Sequence, residues 1–157
     1  MNKKIYDKDE VKFMMRKLGR NTPFRKGLDE CVSGVVSVMK GGEEFAKYLC
    51  DRYKKPFYEI TTHLYNDGSD ASDDKEAIGK MKKFIDLKIP LEFLGRFNEK
   101  FMFVDDVYET GTTWEFIHRL FPNSKLVVLV AKNTNLPEGV FAGDYWAKDD
   151  WVEFEWK

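Results

Sequence analysis

The run Phe101-Met102-Phe103-Val104 leads directly into Asp105-Asp106 and then, after Val107-Tyr108-Glu109, into Thr110-Gly111-Thr112-Thr113. An aromatic and β-branched run bounded by polar residues predicts a buried strand that stops at Asp105. Trp114, Ile117, Leu120 and Phe121 then recur on one helical face, so a helix is expected to begin near Thr113. Strand, glycine turn and helix in this order form the repeating unit of α/β folds, whose parallel sheets carry helices on their faces. In open sheets of that kind ligands collect beyond the carboxyl ends of the strands. The helix start adds backbone N–H groups, hydroxyls and a dipole that favours an anion. Two carboxylates to accept hydroxyls beside a cradle for an anion read together as a site for a sugar phosphate. A lone Asp-Asp pair is ordinarily a solvated turn; the apolar strand before it and the Thr-Gly-Thr-Thr helix start after it set this one apart.

The rest of the chain repeats the pattern. Asp9 as N-cap, then Val11, Met14, Met15 and Leu18, predict a first helix with Gly19 as its stop. Gly34 to Met39 is a short buried-strand pattern ended by Lys40-Gly41-Gly42, after which Phe45, Ala46, Leu49, Cys50 and Tyr53 share a helical face. Pro56 ends that helix before Phe57-Tyr58-Glu59-Ile60-Thr61, a second strand, so a right-handed parallel crossover is expected. Residues 62–78 include Asn66-Asp67-Gly68-Ser69-Asp70, polar and turn-rich, and predict a flexible loop. Lys80 to Leu94 regains enough apolar residues to pack, as a hairpin or short strands around Ile85-Asp86-Leu87. Lys125-Leu126-Val127-Val128-Leu129-Val130-Ala131 is a further buried strand, and the segment 133–157, with its glycines, tryptophans and acidic residues, is expected to cap a sheet edge.

Composition narrows the class. The 157 residues suffice for one domain, 1–157, with a real core. The 26 basic and 27 acidic side chains nearly cancel, which gives no support to nucleic-acid binding. The start, Met1 to Asp9, has no apolar h-region and no window approaches the ~20 apolar residues of a membrane span; a cytoplasmic protein is expected. Cys31 and Cys50 form no Cys-x-x-Cys pair and read as buried thiols, while His63 and His118 lack the spacing of a helical metal site.

The Asp105 to Thr113 segment resembles the phosphoribosyl pyrophosphate motif of the type I phosphoribosyltransferases, in which two acidic residues precede an acidic-Thr-Gly-x-Thr loop. Glu109 stands where purine-salvage members usually carry Asp. The resemblance implies an α/β fold with a central, mostly parallel sheet flanked by helices and a small C-terminal hood, here about 133–157. It implies that Asp105 and Asp106 hold the ribose hydroxyls and, through water, Mg2+, and that Glu109, Thr110, Gly111, Thr112 and Thr113 wrap the 5′-phosphate. Glu109, Asp105 and Asp106 would be the catalytic residues. Lys40-Gly41-Gly42, by itself a tight turn at a strand end, matches the Lys/Arg-Gly-Gly loop that contacts pyrophosphate.

The resemblance is strongest to bacterial xanthine-guanine enzymes, where a Lys after a strand reads the 6-oxo group and a C-terminal Trp stacks on the purine. By that likeness Lys132, Trp151 and the backbone of Val152 bind the base, with Trp156 in support. It covers roughly residues 28–157. The flexible loop departs from it, since Thr61-Thr62-His63-Leu64-Tyr65 stands where relatives place a Ser-Tyr pair. The implied partners are phosphoribosyl pyrophosphate and a 6-oxopurine, and the implied assembly a dimer or tetramer. A non-purine acceptor and a non-catalytic nucleotide-binding regulator are the alternatives; a P-loop or dinucleotide protein is excluded by the absence of either glycine motif.

Overall fold

The computed structural model describes residues 3–21, 32–39, 41–66, 83–88, 90–132, 135–146 and 151–154, of which 19–21, 39, 62–66, 83–88 and 151 by backbone alone. In chain order the elements are β1 (Lys3–Tyr6), α1 (Lys8–Asn21), β2 (Val32–Met39), α2 (Glu43–Tyr53), β3 (Phe57–Asn66), β4 (Lys83–Lys88), a short 3₁₀ turn at Leu91–Phe93, β5 (Lys100–Tyr108), α3 (Thr112–Leu120), β6 (Lys125–Ala131), β7 (Val140–Tyr145) and β8 (Trp151–Phe154). Six strands form one sheet in the order β4-β3-β2-β5-β6-β7, and β1 pairs with β8 in a separate ribbon. Within the large sheet every pairing is parallel except the β3–β4 hairpin.

Side-chain alternation along the central strands builds a core on each face. Val35, Met102, Val104, Val127 and Leu129 pack with Phe45, Ala46 and Leu49 of α2 and Val11, Met14 and Leu18 of α1. Val36, Phe101, Phe103, Leu126 and Val128 pack on the other side with Trp114 and Ile117 of α3 and Phe121. Burial on both faces explains why Phe101 to Val104 of β5 and Leu126 to Ala131 of β6 read as unbroken apolar runs. Each buried Val, Leu, Ile, Phe or Met among them, removed from water, contributes about 1.5–3 kcal/mol.

Several boundaries differ from the sequence-based expectation. The N-cap of α1 is Asp7, whose carboxylate accepts the Glu10 N–H at 2.8 Å, in place of Asp9. Gly19 does not stop that helix, which runs to Asn21; a glycine costs a helix only about 1 kcal/mol. Residues 62–66, expected as the start of a flexible loop, continue β3 and pair with β4 from Thr61↔Lys88 to Asn66↔Lys83. The backbone groups of a polar segment are satisfied there by a neighbouring strand. Residues 67–78 lie outside the described part of the chain. Around Ile85, where a hairpin or short strands were expected, the backbone forms β4, paired antiparallel with β3. Pro56 does follow the end of α2, where Lys54 takes a left-handed conformation (φ 55°) and the Lys55 N–H bonds the Cys50 carbonyl at 3.2 Å. Cys50 is half-buried, with its thiol pushed up to about 11 chiefly by burial; Cys31 lies outside the described residues.

In the segment expected to cap a sheet edge, β7 joins the large sheet as its outermost strand, parallel to β6, and β8 reaches across to β1, with Lys3 opposite Trp151 and Tyr6 opposite Phe154. Among the described residues no helix is long and apolar enough to cross a membrane.

Candidate functional site

The sheet order reverses between β2 and β5. From β2 the chain moves outward to β3; from β5 it moves the opposite way, to β6 and then β7. Such a switch point leaves a crevice beyond the carboxyl ends of the two central strands. The residues arriving there are Gly41 and Gly42 after β2 and the Asp105 to Thr113 segment at the end of β5.

Strand β5 does not stop at Asp105 as expected; it continues to Tyr108. What happens at the carboxylates is a break in alternation. Val104 and Val107 both pack toward α1 and α2, whereas Phe103 and Tyr108 both pack toward α3. The pairing with β6 runs through Asp105↔Val128 and resumes at Val107↔Val130. At this break the carboxylates take over backbone donors: Asp105 Oδ1 accepts the Asp106 N–H at 2.8 Å, and Asp106 Oδ1 accepts the Val107 N–H at 2.7 Å. Short polar side chains compete for local backbone groups in this way. Asp106 is buried and Asp105 half-buried.

The glycines are required by contact. A Cβ on Gly42 would overlap the Val104 carbonyl oxygen, and one on Gly41 would overlap the Asp106 carboxylate. The turn after β2 thus lies directly on the acidic end of β5, which joins two segments that lie far apart in sequence. Lys40 between them and β2 lies outside the described residues.

After Tyr108, Glu109 and Thr110 are exposed and Gly111 turns the chain with φ +79°, left-handed and suited to glycine. A Cβ there would strike the Tyr108 hydroxyl. Thr110 and Thr112 hydroxyls lie 3.0 Å apart, and α3 starts at Thr112 with the Glu115 N–H on the Gly111 carbonyl at 2.9 Å. Asp105, Tyr108 to Trp114 and Val38 line a cavity of about 210 Å³. It combines a helix N-terminus, hydroxyls and a carboxylate, suited to a phosphorylated polyol. Tyr108 and Val38 were not singled out in the sequence; the position of Tyr108, immediately before the loop, was the only available signal.

Lys132 directly follows β6. Its N–H donates to the Tyr108 carbonyl at 2.8 Å, and its Nζ lies 3.2 Å from Glu109 Oε1. The lysine side chain is 9% exposed and the glutamate 62%, so a nearly buried cation meets a solvent-exposed carboxylate at the end of β5. Val152 is half-buried against the α1 and α2 side of the core. Trp151 is located by its backbone alone, in β8. No cluster of three or more metal-binding side chains occurs among the described residues.

No protein-family model matches the chain. Its structure is similar to that of the Helicobacter pylori xanthine-guanine-hypoxanthine phosphoribosyltransferase, with a TM-score of 0.68 at 17% identity over 99% of this chain and 94% of that one. The Pyrococcus horikoshii purine phosphoribosyltransferase gives 0.67 at 19% identity over 100% and 95%. The fold is that of the type I phosphoribosyltransferases. A Neisseria gonorrhoeae hypothetical protein, solved with bound ppGpp, is similar to this phosphoribosyltransferase fold at a TM-score of 0.74 and 20% identity over 99% of this chain and 89% of that one. In sequence, 63 residues are 36% identical to the xanthine-guanine phosphoribosyltransferase of Idiomarina loihiensis. That stretch is 37% of this chain and 36% of the relative, so the match spans about a third of the curated protein's length.

Proposed function

We propose that the chain transfers phosphoribose from phosphoribosyl pyrophosphate to a 6-oxopurine, releasing pyrophosphate and forming a nucleoside monophosphate in purine salvage. The observation that carries this reading is the meeting, at one switch point, of the Gly41-Gly42 turn with Asp106 and of Glu109 with Lys132. Each pairing joins residues assigned to different parts of such a substrate.

In this reading the loop from Glu109 to Thr113 holds the 5′-phosphate on the N-terminus of α3. Gly41 and Gly42, with Lys40, receive the diphosphate. Asp105 and Asp106 accept the ribose hydroxyls, and their charge favours the positive charge that develops on the ring as the C1–diphosphate bond breaks ahead of attack. Glu109 takes the proton from the base nitrogen or holds its tautomer, and Lys132 donates to the 6-oxo oxygen. Trp151 and Val152 complete the base pocket.

Asp105 and Asp106 offer carboxylate oxygens of the kind Mg2+ takes, an ion that keeps much of its water and is shared with substrate phosphates. Asp105 and Asp106 would hold it through water; when bound it neutralises the departing diphosphate.

The deciding assay is Mg2+-dependent pyrophosphate release with guanine, xanthine and hypoxanthine. Release with at least one supports the transferase, and the three rates rank the bases. Tight binding of phosphoribosyl pyrophosphate with no conversion of any base supports a second reading, a regulator that binds a purine nucleotide. That reading is favoured by the ppGpp bound to the similar Neisseria protein and by Glu109 in place of Asp. Lys132→Ala should weaken 6-oxopurine use by about ten- to a hundredfold, the value of a hydrogen bond from a charged donor. Undiminished use of all three 6-oxopurines in that variant would remove Lys132 from base recognition.

A further inference from the structure

A connected polar cluster joins the β1–β8 ribbon to the large sheet. The Tyr6 hydroxyl donates to Asp144 Oδ2 at 2.5 Å and accepts the Trp146 indole N–H at 2.5 Å. Asp144 Oδ1 accepts the Tyr145 N–H at 2.9 Å. The backbone N–H of Trp146 donates to the Ala131 carbonyl at 2.9 Å, and the residue just after β6, Lys132, is itself tied to Tyr108. Tyr6 is 3% exposed and stacks on Phe154 of β8, with ring centroids 5.6 Å apart. Burial first, and then the Asp144 carboxylate, push its phenol above the ordinary range, so it remains a donor at working pH.

The connections are selective. Tyr6 reaches β8, which carries Trp151 and Val152, through its ring and the β1 backbone. It reaches Ala131, beside Lys132, through Trp146. None of the cluster lies among the residues that line the cavity at the N-terminus of α3. Local periodicity does not require a tyrosine in Lys3-Lys4-Ile5-Tyr6, where any apolar residue would bury as well. The hydroxyl adds directional hydrogen bonds between the two sheets to the apolar packing of Tyr6, Val152 and Phe154 on the core.

We infer that Tyr6 is a positioning residue for the base: its hydroxyl, held between Asp144 and Trp146, fixes the strand bearing Trp151 and Val152 at a set distance from Lys132. The inference rests on the proposed function and adds to it an N-terminal determinant that touches no substrate. Because the fixed distance matters only to a ligand that spans β8 and Lys132, loss of the hydroxyl acts on the base and leaves the sugar phosphate alone.

The test uses the full chain with GMP, which carries the base, and ribose 5-phosphate, which does not, each titrated by calorimetry. Tyr6→Phe keeps the ring and its stack on Phe154, and is expected to weaken GMP by about tenfold. Ribose 5-phosphate should bind within about twofold of wild type, as for an independent site. Trp146→Phe, which removes the other donor and leaves Tyr6 in place, should give the same split. Equal loss for both ligands would mark a merely structural role and overturn the inference, as would unchanged GMP affinity in Tyr6→Phe. Wild-type protein that binds neither ligand removes the proposed function first and this inference with it, so the two failures are told apart.

Discussion

Gly42→Ala is expected to destabilise the protein by about 3 kcal/mol, the upper part of the range for overpacking a close-packed interior. The added methyl group would meet the carbonyl oxygen of Val104, a backbone atom of a central strand. Val104 is fully buried and its strand is paired on both sides, to β2 and to β6. A side chain could rotate away from such a contact; β5 can give way only by disturbing both pairings. In urea the midpoint should fall with little change in slope, since the surface exposed on unfolding is nearly the same. For a chain of this length the melting temperature should drop by roughly 10 °C. An unaltered midpoint would show that the turn after β2 does not rest on β5.

That contact also explains what could be read from the chain. β2, β5 and β6 were legible because burial on both faces writes an apolar run into the sequence. β7 was not: Val140-Phe141-Ala142-Gly143-Asp144-Tyr145 is an edge strand, half-buried along most of its length, and its Gly143 lies against the Leu129 carbonyl. β1 offers two lysines and a single buried residue, Tyr6, and exists as a strand because β8 returns to it from the other end of the chain. No local pattern reports a partner at that separation. In the site, Asp105, Asp106 and the Thr-Gly-Thr-Thr turn were legible because their chemistry is local. Gly41 and Gly42 carry a weak signal in sequence, since a glycine pair after a strand needs no partner. Their meaning lies in the atoms of Val104 and Asp106 against them. The meeting of Lys132 with Glu109 likewise follows from the register that sets Tyr108 beside Ala131.

Asp106→Asn is expected to lower turnover by on the order of a hundredfold or more while leaving stability unchanged or slightly raised. Asp106 is 7% exposed, and a buried carboxylate is expensive wherever a neutral group of the same shape would do. Asparagine keeps the oxygen that accepts the Val107 N–H and so keeps the local backbone. What it removes is the negative charge facing the Gly41 turn. If that charge served only the fold, the variant would be no less active; if it serves the developing positive charge of a ribosyl ring, activity falls and the fold does not. Glu109→Gln separates the same two roles from the exposed side. Its ion pair with Lys132 is worth about 1 kcal/mol or less because the glutamate is largely in water, so unfolding should barely register the change. Turnover should fall through loss of the proton acceptor, by about a hundredfold or more. Steady-state rates and urea midpoints measured on both variants check the pair, and wild-type rates in both would take these two carboxylates out of the reaction.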